Sequence, residues 1–264
     1  MNDESPPGGE VERLLDHPLI SERYFFPRES VLASPTWIEV EGARLACAWG
    51  GPEDGPHPPP GAVLLHFHGN GEVVSDWLDD FGPALEKAGF TPFFAEYRGY
   101  GESTGRPMLD TMLDDALTVL DSLGVPPERV VVYGRSVGSL YAIHVAANRP
   151  VAGLVIESGI ADLGQRLSLR LQPSDLGVGD EEFYETLDSR FDHRAKLATV
   201  KCRVLVLHTI HDHMVNVAHA HKLASWAKGS KLVEFAKGDH NSIMAHNVGP
   251  ILEELARLRA RLPF

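Results

Sequence analysis

Gly134-Arg135-Ser136-Val137-Gly138 constrains the fold of this chain more than any other stretch. The apolar run Val130-Val131-Val132-Tyr133 precedes it, and a helix-like run over residues 140–147 follows. A G-x-S-x-G between a buried strand and a helix is the pattern of a nucleophile elbow. The turn is so tight that side chains two positions either side of the serine collide, hence the glycines. It presents the hydroxyl outward and aims the N–H groups of the next helix at the same spot. The motif is short, however, and a glycine-rich turn with Ser136 as an N-cap reads the same way. An oxyanion-binding loop, an acid and a histidine in suitable places separate the two readings.

The rest of the chain supplies the frame. Residues 37–40 and 44–49 flank Glu41-Gly42-Ala43 in a hairpin pattern. Short apolar runs at 62–67, 90–96, 130–133, 152–156, 203–207 and 232–235 suit buried strands. Pro92 confines the pairing at the start of the second of these. Helical spacing falls between them at about 74–88, 112–123, 140–147, 217–227 and 243–261. Alternating strands and helices predict a mostly parallel sheet wound on both faces, with the site at the strands' C-terminal ends and antiparallel strands at the N-terminal edge. Residues 159–199 break the alternation: they are long, charged and mostly helical in pattern, which predicts a small helical cap over that face. Residues 23–264 then form one α/β domain, with residues 1–22 a disordered or extended tail and the Pro/Gly-rich 50–61 an exposed connection.

Charge and cysteine usage narrow the function. A formal net charge of -13 argues against a nucleic-acid partner, because phosphate binding needs a basic patch. No apolar run is long enough to span a bilayer. Residues 1–10 are acidic and polar, without the basic and apolar regions of a secretory signal. Cys47 and Cys202 sit in separate apolar runs and read as buried free thiols rather than a disulfide or metal pair. The expected compartment is the cytoplasm.

Serine is a weak nucleophile near neutral pH and needs an adjacent base, which in turn needs a third group to fix its tautomer. Asp212 lies in His208-Thr209-Ile210-His211-Asp212-His213, directly after a strand; His240 lies in Gly238-Asp239-His240-Asn241, after the last strand. Ser136, Asp212 and His240 thus follow in the order Ser, acid, His. The loop after the 62–67 strand, His68-Gly69-Asn70-Gly71-Glu72, suits an oxyanion hole, its glycines allowing close backbone approach. The expected donors are the backbone N–H groups of Asn70 and Val137.

These blocks, together with Tyr97-Arg98-Gly99-Tyr100-Gly101-Glu102-Ser103, resemble the α/β-hydrolase superfamily, and within it the ABHD-type, serine-aminopeptidase-like serine hydrolases. The resemblance spans about residues 37–264. It implies an α/β-hydrolase fold and hydrolysis of a small-molecule acyl ester, thioester or amide without a cofactor. Some relatives remove palmitoyl groups from proteins and carry a cysteine-rich, lipidated N-terminus; this N-terminus has no cysteine.

Competing readings attach to several residues. Asp162 follows the preceding strand, where some α/β-hydrolases place their acid; Glu157 is a weaker candidate, and His246 is a rival base inside the last helix. His66 and His68 suggest a zinc site only if an Asp and a His followed, and Asn70 and Glu72 follow instead. His66 therefore reads as a packed strand residue and His68 as support for the oxyanion loop. Arg135 reads as structural, pairing with an acid near the elbow, ahead of the alternative that it binds substrate. Trp77 either lines a substrate pocket or anchors its helix. Leu167, Leu169, Leu171, Phe183, Tyr184 and Leu187 either meet an apolar substrate or cover the cap's own core. The expected activity is that of a serine esterase or thioesterase. The alternatives are a binding protein without turnover, or the same trio used as a peptidase or acyltransferase.

Overall fold

A computed structural model describes residues 13–50 and 60–262. Eight strands form one sheet: β1 (Thr36–Val40), β2 (Ala43–Trp49), β3 (Ala62–Phe67), β4 (Phe90–Ala95), β5 (Val130–Arg135), β6 (Gly153–Glu157), β7 (Arg203–Thr209) and β8 (Lys231–Phe235). Their order is β1-β2-β4-β3-β5-β6-β7-β8. The pairs β1–β2 and β2–β4 are antiparallel, and all the others are parallel. Every residue of β3, β5 and β6 is buried, which is why these strands read as continuous apolar runs. Register pairs Val40 with Ala43, so Glu41-Gly42 is the hairpin turn, with Gly42 at φ +69°.

Pro92 lies within β4 without breaking the sheet. Its register partner on β3 is Leu64, and its carbonyl accepts from the Gly50 N–H at 2.9 Å. A residue's N and C=O point to the same side of a strand, so the missing N–H faces the end of β2, where pairing stops. Gly50 fits that spot because a Cβ there would stand 2.6 Å from the Pro92 ring.

The helices are α1 (Pro18–Tyr24), α2 (Ser75–Leu78), α3 (Phe81–Lys87), α4 (Thr111–Asp121), α5 (Gly138–Asn148), α6 (Leu163–Leu167), α7 (Asp180–Phe191), α8 (His193–Thr199), α9 (Ala218–Trp226) and α10 (Ile243–Arg259). The pleat divides the core in two. Val63, Leu65, Val132 and Ile156 face the layer of α4, α5, α8 and α9, whereas Leu64, Val131, Val155 and Leu207 face α2, α3 and α10. The helix expected over 74–88 is split into α2 and α3 at Asp79 and Asp80. Among the described residues no helix is long and apolar enough to cross a membrane.

Two boundaries differ from the sequence reading. Residues 1–12 and 51–59 lie outside the described residues, but residues 14–24 are not a disordered or extended tail. Leu14–Asp16 forms a 3-10 turn and α1 follows it. Leu15 and Ile20 are buried, and Asp16 accepts from the backbone N–H groups of Asp110 and Thr111 at 2.8 and 3.1 Å. The carboxylate thereby caps the start of α4. At the other boundary, α8 packs between α5 and α9, with Leu197 buried in the main core. It covers the sheet, so the cap-like excursion ends near Asp192.

Two histidines are buried in the α5–α8 layer. Burial, with Lys196 nearby, pushes His193 down to about 3, and the same two causes push His144 down to about 4. Unfolded histidines take up protons near the ordinary 6.5, so between that value and the folded values the unfolded state binds more protons. Their contribution to stability is complete above that ordinary value and is lost as the pH falls toward 3–4. Urea unfolding from pH 7.5 to 5 is expected to show a marked loss for the wild type. His193→Leu is expected to lose less over the same range, by about 1–2 kcal/mol.

Candidate active site

The elbow is a close approach of three backbones. Ser136 stands between β5 and α5 with φ +50°, a left-handed conformation that costs a non-glycine residue about 1–3 kcal/mol. A Cβ on Gly138 would lie 2.1 Å from the Phe67 carbonyl oxygen, and one on Gly134 would lie 2.5 Å from that of Gly138. Both positions therefore admit only glycine. The Ser136 N–H donates to the Glu157 carbonyl at 2.9 Å, and Ser139 Oγ donates to the Ser136 carbonyl at 2.6 Å.

Ser136, His240 and Asp212 meet at this turn. His240 Nε2 lies 3.0 Å from Ser136 Oγ, and His240 Nδ1 lies 2.7 Å from Asp212 Oδ2. A carboxylate only accepts, so Nδ1 carries the proton and Nε2 is free to accept from the hydroxyl. Asp212 Oδ1 accepts from the N–H groups of Met214 and Val215 at 2.9 and 2.7 Å. A second histidine, His208, stands behind it. Its Nε2 lies 2.7 Å from the Val215 carbonyl and 3.3 Å from Asp212 Oδ2. Burial alone would raise the Asp212 carboxyl, but hydrogen bonds from His208, His240 and Val215 outweigh it and hold the group well below the usual carboxylate range.

The loop after β3 is held from three sides. His68 Nε2 lies 2.6 Å from Glu96 Oε1, and Tyr97 Oη donates to the His68 carbonyl at 2.7 Å. Burial would lower the His68 pKa, but the Glu96 carboxylate beside it raises it. The Asn70 side chain accepts from the Phe26 N–H at 2.9 Å and from Tyr100 Oη at 2.8 Å, and donates to the Tyr24 carbonyl. The loop is thus tied to the chain just after α1. Glu72 accepts from the Gly69 N–H at 2.7 Å. Among the described residues, the backbone N–H groups of Asn70 and Val137 have no acceptor in the protein. Both residues, with Ser136 and His240, line one cavity of about 90 Å³.

Arg135 joins these parts. Its guanidinium is buried and donates to Glu72 Oε1 at 2.7 Å, Glu157 Oε1 at 2.7 Å and the His240 carbonyl at 2.9 Å. Tyr133 Oη bonds the other Glu157 oxygen. Arg135 therefore pairs with acids beside the elbow, and Glu157 is its partner.

Other candidates lie elsewhere. Trp77 is not among the residues lining the cavity; it packs against His66 and Phe81, with ring centroids 4.7 and 5.5 Å away, and so anchors its helix. Asp162 caps α6, accepting from the Gln165 N–H at 2.9 Å. His246 lies within α10. His66 and His68 face opposite sides of the sheet, the former in an aromatic cluster with Phe94 and Tyr133, the latter beside Tyr97 and Tyr100. Of the cap's apolar residues, Leu167, Leu171, Phe183 and Leu187 are in the core, and Leu169 and Tyr184 are exposed. The cavity instead receives Ile160, Arg166 and Arg170 from this region, with Tyr24 and Phe26 from the N-terminal segment and Met214 from the loop after β7. An arginine in a short helix or in the turn after it gives no sequence signal of such a position.

A family model described as serine aminopeptidase, S33 matches residues 58–174. The uncharacterized protein YfhR of Escherichia coli K12 is 25% identical over 248 residues, covering 88% of this chain and 84% of that protein. The α/β hydrolase domain-containing protein aho-3 of Caenorhabditis elegans is 28% identical over 184 residues, covering 67% of this chain and 50% of its own length. Among solved structures, Est1E from Butyrivibrio proteoclasticus with ferulic acid bound is similar in fold, with TM-score 0.70 and 18% identity over 86% of this chain and 98% of that one.

Arg135→Met should test the buried junction. It leaves the Glu157 carboxylate without its cation, and breaking such a buried pair typically costs about 3–5 kcal/mol. Urea denaturation is expected to show a loss of that order, whereas a loss below about 1 kcal/mol would contradict the junction's role.

Proposed function

We propose that this chain, a member of the α/β-hydrolase superfamily, is a serine hydrolase that cleaves carboxylic esters or thioesters through a Ser136–His240–Asp212 triad. The observation that carries this reading is the hydrogen-bonded sequence from Ser136 Oγ to His240 at 3.0 Å and from His240 to Asp212 at 2.7 Å. Its substrates are small acyl compounds, and the reaction needs no cofactor.

In this mechanism Ser136 Oγ attacks the acyl carbonyl while His240 Nε2 takes its proton. Asp212 holds the imidazole in the Nδ1–H tautomer and stabilises the imidazolium that forms. The negative charge on the carbonyl oxygen is received by the N–H groups of Val137 and Asn70. One such donor typically lowers the barrier by about 3–4 kcal/mol. The imidazolium then protonates the leaving alcohol or thiol. A water molecule, deprotonated by the same nitrogen, attacks the acyl-serine and releases the acid. His208 helps keep Asp212 ionised and oriented, so the charge that steadies His240 is fixed before substrate arrives.

Hydrolysis of p-nitrophenyl esters of graded chain length tests the reading. Ser136→Ala is expected to lower kcat by at least about 10³-fold, and Asp212→Asn by about 10⁴-fold through the wrong tautomer. Because Asp212 stays ionised far into acid, the acid limb of kcat/KM should follow a single proton, with slope one down to about pH 4. Activity unchanged in Ser136→Ala, or a profile flat to pH 4, would refute the assignment.

A further inference from the structure

The candidate site is bordered by arginines, and most arginines near it are already neutralised. Arg23 pairs with Asp175 at 2.8 Å, Arg28 with Asp76 at 2.7 Å, and Arg135 with Glu72 and Glu157. Arg166 and Arg170 also line the cavity with Ser136 and His240, yet among the described residues neither has a carboxylate partner. The carboxylates around them are engaged elsewhere. Glu72 is held by Arg135 and the Gly69 N–H, Asp162 by the Gln165 N–H, and Asp239 by Ser242. Arg166 is half-buried and Arg170 exposed, so in a chain with 37 acidic residues and 24 basic ones the mouth of this cavity carries positive charge that no carboxylate of the described residues neutralises.

Both side chains are positioned with donors to spare. Arg166 Nη1 donates to the Met214 carbonyl, which ties α6 to the loop carrying Asp212 and leaves the other guanidinium N–H groups for a ligand. The Arg170 guanidinium carbon lies 5.2 Å from the centroid of the Phe26 ring, and Phe26 is itself fastened to Asn70. Contact with a ring engages its π-electrons and leaves the planar fork of N–H groups for a carboxylate or phosphate. The cavity is small, about 90 Å³, against 300 Å³ or more for typical drug-sized ligand pockets.

We propose that the substrate is a short ester or thioester carrying an anionic group, a carboxylate or phosphate, and that Arg170 and Arg166 bind that group while Ser136 attacks the acyl carbonyl. This rests on the serine-hydrolase reading above. The net reaction is addition of water across the acyl–oxygen or acyl–sulfur bond, giving a carboxylic acid and an alcohol or thiol. The anionic group is bound and unchanged. Its recognition gives the two arginines a purpose that holding the cap does not require.

Matched esters provide the test. With the charge on the alcohol, 4-acetoxybenzoate is compared with its methyl ester, and 4-acetoxyphenyl phosphate is the phosphate member. With the charge on the acyl group, monophenyl adipate is compared with phenyl hexanoate. At low salt, kcat/KM for at least one anionic ester should exceed that of its neutral counterpart by about tenfold or more, and the ratio should shrink as salt is added. Arg170→Gln should lower that ratio about tenfold, with Arg170→Lys in between. The preferred member distinguishes carboxylate from phosphate. Equal rates for every charged and neutral pair in the wild type would overturn the proposal while leaving the serine hydrolase intact, as would an unchanged ratio in both Arg170→Gln and Arg166→Gln. Cleavage of no ester at all would overturn both.

Discussion

The buried guanidinium of Arg135 is the interaction on which the rest of the site's arrangement depends. It sits at the end of β5, one residue before the strained Ser136, and reaches three separate segments. Glu157 ends the neighbouring strand, Glu72 closes the loop after β3, and the His240 carbonyl belongs to the loop after β8. A buried charge is tolerated only when its partners are placed well, so the same requirement that keeps Arg135 satisfied also fixes the spacing of the loops around Ser136. The glycines at 134 and 138 add a steric condition: β3, β5 and α5 approach too closely for any side chain at either position.

Asp212 shows a similar economy. It lies at 3.3 Å from His208 and 2.7 Å from His240, with two backbone N–H groups on its other oxygen. Three donors, with His208 close by, keep this carboxylate charged and leave it little freedom to rotate. His208 also approaches the Val215 carbonyl, which binds the loop to the end of β7. Asp212 and His208, which hold the imidazole from behind, are not among the residues lining the cavity.

Much of this was legible in the sequence because it rests on local patterns. Runs such as Val130-Val131-Val132-Tyr133 mark strands buried on both faces, and the glycines of the elbow have one steric explanation. Ser136, Asp212 and His240 each follow a strand, and parallel strands deliver their C-terminal loops to one edge. What escaped depends on distant partners. Helix α1 and the turn before it gain their order from Asp16 capping α4, a contact across more than ninety residues that no local pattern records. Helix α8 looks like part of a cap by composition, yet Leu197 buries it against the sheet layer. Trp77 offers the same indole to a pocket or to a core, and only its neighbours His66 and Phe81 decide between them. Arg166 and Arg170 were invisible for the same reason, since nothing in a charged segment says which side chains face the serine.

The proposed chemistry makes Ser136, activated by His240, the nucleophile. Mass-spectrometric mapping after exposure to a fluorophosphonate tests it most directly, because the reagent phosphonylates an activated serine and spares an ordinary hydroxyl. A stoichiometric adduct is expected on the peptide containing Ser136, lost when His240 is replaced by Gln. An unmodified Ser136 in folded protein, or an adduct on another serine with Ser136 untouched, would contradict it.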